Sequence, residues 1–335
     1  MTLFRRFSLL FVLALSVFAL AGCARKESTG SAGEKPLVKV RFQTDWFPQS
    51  EHGGFYQALA KGFYREVGLD VEILPGGPGV TVGQKMMGGV ADIGMSRSDD
   101  VAVYVQTGLP LKIVGVTMQH DPQAILSHEE NPITSFQQLQ GKSVMAVPGS
   151  SWIDFLKARY KIEFSIIPSN YGIGQFMTDK NFIQQCFITN EPYYVRKNGA
   201  KPKTLLIADS GFDPYRVYMA NNRLIREQPE VVKAFVLAST RGWDDFMHGD
   251  PTPAFELISQ RNDKMPRDFL QYSHQSLAEN RLVAGHTDRG EKVGQLTRKR
   301  LQEQINTLVE LKLLPSPLPL EQFVAFEMLP AELKD

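Results

Sequence analysis

Polar and apolar positions along this chain run through one pattern twice. Over residues 37–44, Val38, Val40 and Phe42 alternate with Lys39, Arg41 and Gln43, the two-residue period of a half-buried strand. From Gly54 the apolar residues recur at helical spacing through Tyr56, Ala58, Leu59 and Phe63, and Gly68 stops them. A strand over 69–74, a helix over 80–87, a short strand over 90–95, a polar loop at 96–100 and a helix from Val101 follow. Residues 111–118 form a strongly apolar strand, and a strand over 124–127 leads out of this first unit.

The pattern restarts at Phe136. A short helix, a strand over 142–147, a helix entered at Pro148-Gly149-Ser150-Ser151-Trp152, a strand over 164–168, a loop at 170–174 and a strand over 181–189 lead to a helix entered at Asn190-Glu191-Pro192. Strands over 204–208 and 216–220 follow, the second a return crossing, and beyond Pro229 the chain is helical over 231–247, 253–259, 266–277 and 290–314. Two rounds of strand and helix with two crossings predict an α/β protein of two lobes joined by two strands, with a cleft between. The expected division is lobe 1 over 37–122 and 222–335, and lobe 2 over 123–221.

The N-terminus breaks this pattern. Arg5 and Arg6 precede an apolar run over 7–20 that ends in Leu20-Ala21-Gly22-Cys23, too short for a span and shaped as an export signal. The tetrapeptide resembles a bacterial lipobox, which implies removal of residues 1–22 and lipidation of Cys23. Residues 23–36 are polar and rich in small side chains, a flexible tether. The expected location is the outer face of the cell membrane or the periplasm. Cys186, in an apolar context, reads as a buried thiol, so an exported chain is left without an internal disulfide.

Composition narrows the chemistry. The 335 residues, 43% of them hydrophobic, suffice for two ordinary cores, and a formal net charge of +1 marks no surface for nucleic acid. The six histidines have no paired metal spacing, and no Gly-x-Ser-x-Gly elbow is present. Gly77-Pro78-Gly79 departs from a dinucleotide fingerprint in spacing and through its proline. His120 and His128 read as exposed.

Candidate ligand groups sit where strands run into helices, the usual place for a ligand in α/β sheets. The stretch Asp45-Trp46-Phe47-Pro48-Gln49-Ser50-Glu51-His52-Gly53-Gly54-Phe55-Tyr56 is the richest, offering Trp46, His52, Gly53 and Tyr56. Ser96 and Ser98 follow the third strand, where Ser98 or Asp99 equally serves as a helix cap. Gln119 ends the fourth strand. Gly149, Ser150 and Ser151 form either a polar ligand edge or a plain cap, and Trp152 lines core or pocket. Tyr171 lies in the second lobe's loop, and Asn190 and Glu191 end a buried strand, where Glu191 either complements a helix dipole or accepts from a ligand.

Several of these stretches together are similar to the periplasmic-type solute-binding proteins that carry thiamine pyrimidine precursors, nitrate, alkanesulfonates and taurine. They are Asp45-Trp46, His52-Gly53-Gly54-Phe55-Tyr56, Ala60-Lys61-Gly62-Phe63-Tyr64, Gly68-Leu69-Asp70-Val71, Ala91-Asp92-Ile93-Gly94, Asp121-Pro122-Gln123, Leu139-Gln140-Gly141-Lys142 and Thr189-Asn190-Glu191-Pro192. The resemblance spans residues 38–250. It implies a type II periplasmic-binding-protein fold and a monomer without cofactor or metal that delivers a small molecule to the permease subunits of an ABC importer. The tryptophan and His-Gly-Gly opening looks most like the pyrimidine branch, which implies that Trp46 stacks on the heterocycle, His52 hydrogen-bonds it and Glu191 binds its exocyclic amine. Riboflavin carriers share this layout. Nitrate and sulfonate carriers want positive donors in the cleft, for which Arg97 is the loop candidate. The same family includes a fungal iron-dependent enzyme that makes hydroxymethylpyrimidine phosphate with its own histidine as substrate; His52 would match that histidine, but the enzyme's cysteine-rich motif has no counterpart here.

Overall fold

Alternation along the first strand is explained by its neighbours. β1 (Val38–Gln43) buries Val40, Phe42 and Gln43 while Val38 and Lys39 face out, and it pairs in parallel with β2 (Leu69–Leu74) and β3 (Ile93–Arg97). The structure, a computed structural model, describes residues 36–334; the expected export signal, Cys23 and the tether before Pro36 lie outside the described residues. Helices α1 (Gly53–Ala60), α2 (Phe63–Glu66), α3 (Val82–Met87) and α4 (Ser98–Gln106) link the first three strands and β4 (Leu111–Met118). The expected helix over 54–68 is broken in two because Gly62 adopts φ 77°, a left-handed conformation that ends α1.

The chain leaves the first sheet after Met118 and enters a second one. Its members are β5 (Gln123–His128), β6 (Ser143–Ala146), β7 (Ser165–Pro168), β8 (Ile183–Phe187) and β9 (Pro202–Leu206), with α5 (Ser151–Tyr160), α6 (Gly174–Thr178) and α7 (Glu191–Lys197) between them. The return strand β10 (Arg216–Asn221) inserts between β3 and β4, antiparallel to both. Sheet orders β2-β1-β3-β10-β4 and β7-β6-β8-β5-β9 are equivalent, each with one antiparallel strand that arrives from the other lobe. The expected second lobe ran to residue 221, whereas β10 is hydrogen-bonded into the first sheet. The crossings themselves are short segments flanking the strands, between Met118 and Gln123 and between Ser210 and Arg216.

Helices α8 (Asn222–Glu227), α9 (Pro229–His248), α10 (Thr252–Arg261), α11 (Arg267–Glu279), α12 (Arg298–Glu310) and α13 (Leu320–Phe323) complete the described chain. The helix expected over 290–314 begins only at Arg298, because Gly290 and Gly294 take positive φ and Thr297 caps the Arg300 amide. Among the described residues no helix is long and apolar enough to cross a membrane.

One large core spans the first sheet and the C-terminal helices, and a smaller one lies in the second lobe around Ile125, Trp152, Leu156 and Phe164. Trp152 is therefore a core residue, stacked 6.4 Å from Phe164. Cys186 is likewise buried, and burial pushes its thiol well up. His128, expected at the surface, is buried: its ring stacks 3.9 Å from Phe176 and its Nε2 donates to the Phe176 carbonyl at 2.7 Å. His120 is half-buried between Asp213 (2.6 Å) and Glu291 (2.9 Å), beside both crossings.

α9 presents Val232, Phe235, Val236, Ser239, Gly242, Trp243 and Phe246 to the core, a helical stripe laid against α1. The two helices meet at glycines: a Cβ on Gly242 would lie 2.2 Å from the Gly54 carbonyl oxygen, and one on Gly54 would lie 2.2 Å from the Trp243 ring. This packing seats the loop before α1. Gly242→Ala is expected to cost about 1–3 kcal/mol through overpacking, read as a lower urea midpoint in the ligand-free protein with unchanged slope.

Candidate functional site

The sheet order brings four strand ends of the first lobe together: the ends of β1, β3 and β4 and the start of β10. Each carries a charge, respectively Asp45, Arg97, Asp121 and Arg216. In the β3–β10 register Arg97 stands directly opposite Arg216, which would be repulsive without compensation. Carboxylates supply it. Arg216, with 8% of its side chain exposed, donates to Asp45 and lies 3.8 Å from Asp121. Arg97 donates to Asp100 at 3.1 and 3.0 Å and lies 3.3 Å from Asp99.

These pairings set the protonation of the floor. Burial alone would raise the Asp45 carboxyl, but the Arg216 charge and the His52 hydrogen bond hold it well below the usual carboxylate range. Burial pushes Asp121 up despite Arg216 and Arg97. It likewise pushes Asp99 up to about 6, Arg97 opposing. The Ser151 hydroxyl of the second lobe faces Asp99 closely enough to favour its ionised form, yet neither Asp99 oxygen has a well-directed hydrogen bond.

The loop after β1 carries the aromatic part. The Trp46 carbonyl accepts from the Gly76 amide (2.9 Å) and the Thr44 hydroxyl (2.8 Å), which fixes the loop against the turn after β2. The Trp46 ring lies 5.2 Å from Tyr171 of the second lobe and 5.6 Å from Phe47. Tyr171 is held at φ 60° in a loop whose amides bond to Ser169 and Asn170 side chains. The two rings thus meet at a tilt of 44° across the seam, with Phe47, 45% exposed, beside Trp46.

The other end of the site is acidic. Glu51 is buried in the turn Ser50–His52; the Thr189 hydroxyl of the second lobe donates to its Oε1, and its Oε2 has no partner. Glu191 opens α7, and its Oε2 accepts from the Phe187 amide at 2.8 Å. Burial pushes Glu51 up, and it pushes Glu191 up to about 7, with the charge of Glu51 adding to the effect.

Trp46, His52, Tyr171, Ser151 and Glu191 therefore lie at the seam or against its charged floor. His52 Nε2 donates to Asp45 at 3.1 Å, and its Nδ1 is enclosed without a partner. Ser96 is buried at the end of β3, which runs through Arg97 where a polar loop was expected. Asn190 is half-buried, with its backbone amide on Phe187 (2.9 Å) and its carbonyl accepting from Tyr193 (3.0 Å). Gly149 forms the turn at φ 77°, and the Ser150 hydroxyl bends back to the Val147 carbonyl (2.9 Å).

Four expected ligand contacts are structural instead. Gly53 is a packing position, since a Cβ there would lie 2.2 Å from the Phe246 ring. Tyr56 is buried in the first lobe with Arg261 5.4 Å from its ring centre, and burial pushes its hydroxyl up to about 12. The Ser98 hydroxyl is consumed between Gln304 (2.8 Å) and the Tyr215 amide (3.0 Å), and α4 starts at Ser98 itself without a side-chain cap. Gln119 donates to the Gln295 carbonyl at 2.8 Å. Sequence reasoning had also passed over Asp45, Glu51, Asp121, Thr189 and Arg216. The one available signal was a charge set at the mouth of an apolar strand, Arg216 before Val217-Tyr218-Met219-Ala220.

A sequence profile described as NMT1/THI5 like matches residues 49–254, more than half of the chain and all but the first part of this site. The chain belongs to the NMT1/THI5-like family. Among NMT1/THI5-like relatives, the riboflavin-binding protein RibY of Chloroflexus aurantiacus is 27% identical over 73% of this chain and 72% of its own length. A formylaminopyrimidine-binding protein of Halalkalibacterium halodurans is 22% identical over 77% and 80%. A 4-amino-5-hydroxymethyl-2-methylpyrimidine phosphate synthase of Candida albicans is 25% identical over 69% and 74%. The periplasmic aliphatic sulphonate binding protein SsuA from Escherichia coli superposes with a TM-score of 0.62 at 15% identity, covering 86% of this chain and 92% of that one, which shows the shared periplasmic-binding fold.

Removing the Arg216 charge leaves half-buried Asp45 and buried Asp121 unneutralised. Arg216→Met is expected to lower unfolding free energy by about 3–5 kcal/mol, and adding Asp45→Asn should restore part of the loss; denaturant titration of the single and double variants checks this.

Proposed function

We propose that this NMT1/THI5-like protein is an extracytoplasmic carrier, tethered by lipid on Cys23, that closes its two lobes on a small planar amino-bearing heterocycle and presents it to an ABC importer. The observation that carries this reading is the division of charge in the seam. Both arginines of the floor are matched in charge by carboxylates, whereas Glu51 and Glu191 remain as acceptors at the end of the site opposite the Trp46–Tyr171 pair. Sulfonate or nitrate would have to approach arginines whose charge Asp45, Asp99, Asp100 and Asp121 already balance, with the Arg216 Nε left as an enclosed donor. An amino group and an aromatic face match what is left.

A thiamine pyrimidine precursor is the leading ligand. The named ligand of the Halalkalibacterium relative supports it, with Trp46 stacking, Glu191 accepting from the amine and His52 held in place by Asp45. Riboflavin is the second reading, favoured by the Chloroflexus relative and by exposed Phe47, which lengthens the aromatic wall. We read the protein as a carrier rather than a synthase, because those two relatives are named as binding proteins and Cys186 is a buried core thiol.

Thermal shift separates the ligands, since a ligand at a hundredfold excess over Kd stabilises the folded state by about 2.7 kcal/mol. A panel of formylaminopyrimidine, 4-amino-5-hydroxymethyl-2-methylpyrimidine, riboflavin, taurine and nitrate is expected to show shifts with a heterocycle; shifts with the anions alone would overturn the assignment. Trp46→Ala is expected to weaken heterocycle binding at least about a hundredfold, equivalent to about 2.7 kcal/mol, while the ligand-free melting temperature stays within about 2 °C of wild type.

A further inference from the structure

The chain passes between the lobes twice, between Met118 and Gln123 and between Ser210 and Arg216, so a change of lobe angle has to be absorbed in these two short segments. His120 lies in the first crossing and Asp213 in the second. His120 Nδ1 is 2.6 Å from an Asp213 carboxylate oxygen, and its Nε2 is 2.9 Å from Glu291, which stands on the first-lobe segment between α11 and α12. Only 14% of the side chain is exposed. The other Asp213 oxygen accepts from the Asp121 amide at 3.0 Å, and Arg300 of α12 donates to the carbonyls of Gln119 and Asp213 and, at 3.0 Å, to the Asp213 carboxylate. Gly285, at φ 71°, leaves room for this approach: a Cβ there would lie 2.7 Å from Glu291 Cβ and 3.0 Å from Gln119 Cγ.

A carboxylate only accepts, and an imidazole donates from both nitrogens only when it is protonated. Two carboxylates, one at hydrogen-bond distance from each ring nitrogen, therefore hold a cation between them. Neither carboxylate is a good seat for the proton instead, because Asp213 already accepts from an amide and a guanidinium, and Glu291 Oε2 also accepts from the His286 amide at 2.6 Å. The charged groups facing the ring are Asp213 from the second crossing, Glu291 from the segment between α11 and α12, and Arg300 from α12. Beyond them, the His286 ring stands 5.1 Å away and accepts from Arg281, which lies 3.6 Å from Asp288; Asp121 lies 3.8 Å from Arg216, and Asp209 acts on Asp213. Burial and Arg300 oppose the imidazolium, but Asp213 and Glu291 outweigh them and raise its ionisation above the ordinary histidine value.

Neutral His120 would have one N–H left. Asp213 is the nearer acceptor and keeps it, so the Nε2 lone pair would then face Glu291. We propose that His120 is a protonation-controlled clip on the hinge: as an imidazolium it pins both crossings to the first lobe at Glu291, and on losing its proton it releases Glu291 and lets the crossings move. Arg300 remains charged and serves as the pivot. The clip does not depend on which ligand the seam takes.

The sign follows from the raised ionisation. The tie is complete below about pH 6.5, the ordinary imidazole value, and is lost as pH rises through the higher ionisation of His120 in the folded protein. The test combines imidazole ¹⁵N NMR of the ligand-free full chain with hydrogen exchange of the crossing amides, corrected for base catalysis. At pH 6 both nitrogens of His120 are expected to carry N–H. As the ring titrates, exchange in both crossings is expected to accelerate about tenfold beyond the intrinsic rise, equivalent to about 1.4 kcal/mol. Glu291→Gln keeps an acceptor for the ring but removes the charge, so the titration and the exchange step are both expected to move down by about one pH unit. His120→Gln has no charge to lose and donates at one end only, so its crossings are expected to exchange fast at every pH. A single N–H on His120 at pH 6, a wild type without the exchange step, or a step that stays in place in Glu291→Gln would each overturn the clip.

Discussion

The Arg216 guanidinium, buried between Asp45 and Asp121, is the contact on which the cleft depends. It joins the loop after β1, the crossing after β4 and the first residue of β10, parts of the chain that meet only because the return strand inserts into the first sheet. Its ring-face neighbour is Phe187 of the second lobe, at 5.6 Å. Desolvating a charge of this kind is costly unless its partners are well placed. Asp45 and Asp121 are placed by backbone, Asp45 by the strand end and Asp121 by the Asp213 carboxylate that accepts from its amide at 3.0 Å. Through Asp45 the same interaction sets the His52 ring.

This constraint sets the charge of the cleft floor. Positive charge on the floor is balanced by carboxylates, although the Arg216 Nε has no partner, and Glu51, Asp99 and Asp121 each retain a buried oxygen without a hydrogen bond. The fold is shared with a sulphonate-binding protein, yet a shared fold does not fix the ligand. Interlobe contacts at Trp46–Tyr171, Glu51–Thr189 and Asp99–Ser151 involve residues of the proposed ligand site.

The regular elements were legible because their residues answer to a local rule. β1, β2 and β4 show their apolar faces directly, and α9 shows its stripe. Failures came where the deciding partner is remote. Nothing near Arg216 reveals that its carboxylate lies 171 residues earlier, and a charged residue opening a strand reads locally as surface. Gly53 and Tyr56 were placed in the cleft because they sit beside Trp46 in sequence, but a helix turns successive residues to different faces, and these two meet Phe246 and Arg261. Ser98 and Gln119 were polar residues at strand ends whose hydrogen bonds are taken by Gln304 and Gln295, far along the chain. The lobe boundary failed for a related reason: β10 looks like any strand, and only its pairing assigns it.

The central claim is that the seam holds a neutral, amino-bearing aromatic molecule against committed positive charge. Native mass spectrometry of the protein as purified from cells that retain its ligand tests this most directly, with fragmentation of any released species. The account predicts a bound heterocycle that fragments as an aminopyrimidine or a flavin and is lost from the Trp46→Ala variant. A bound sulfonate or nitrate, or a heterocycle retained unchanged by that variant, would contradict it.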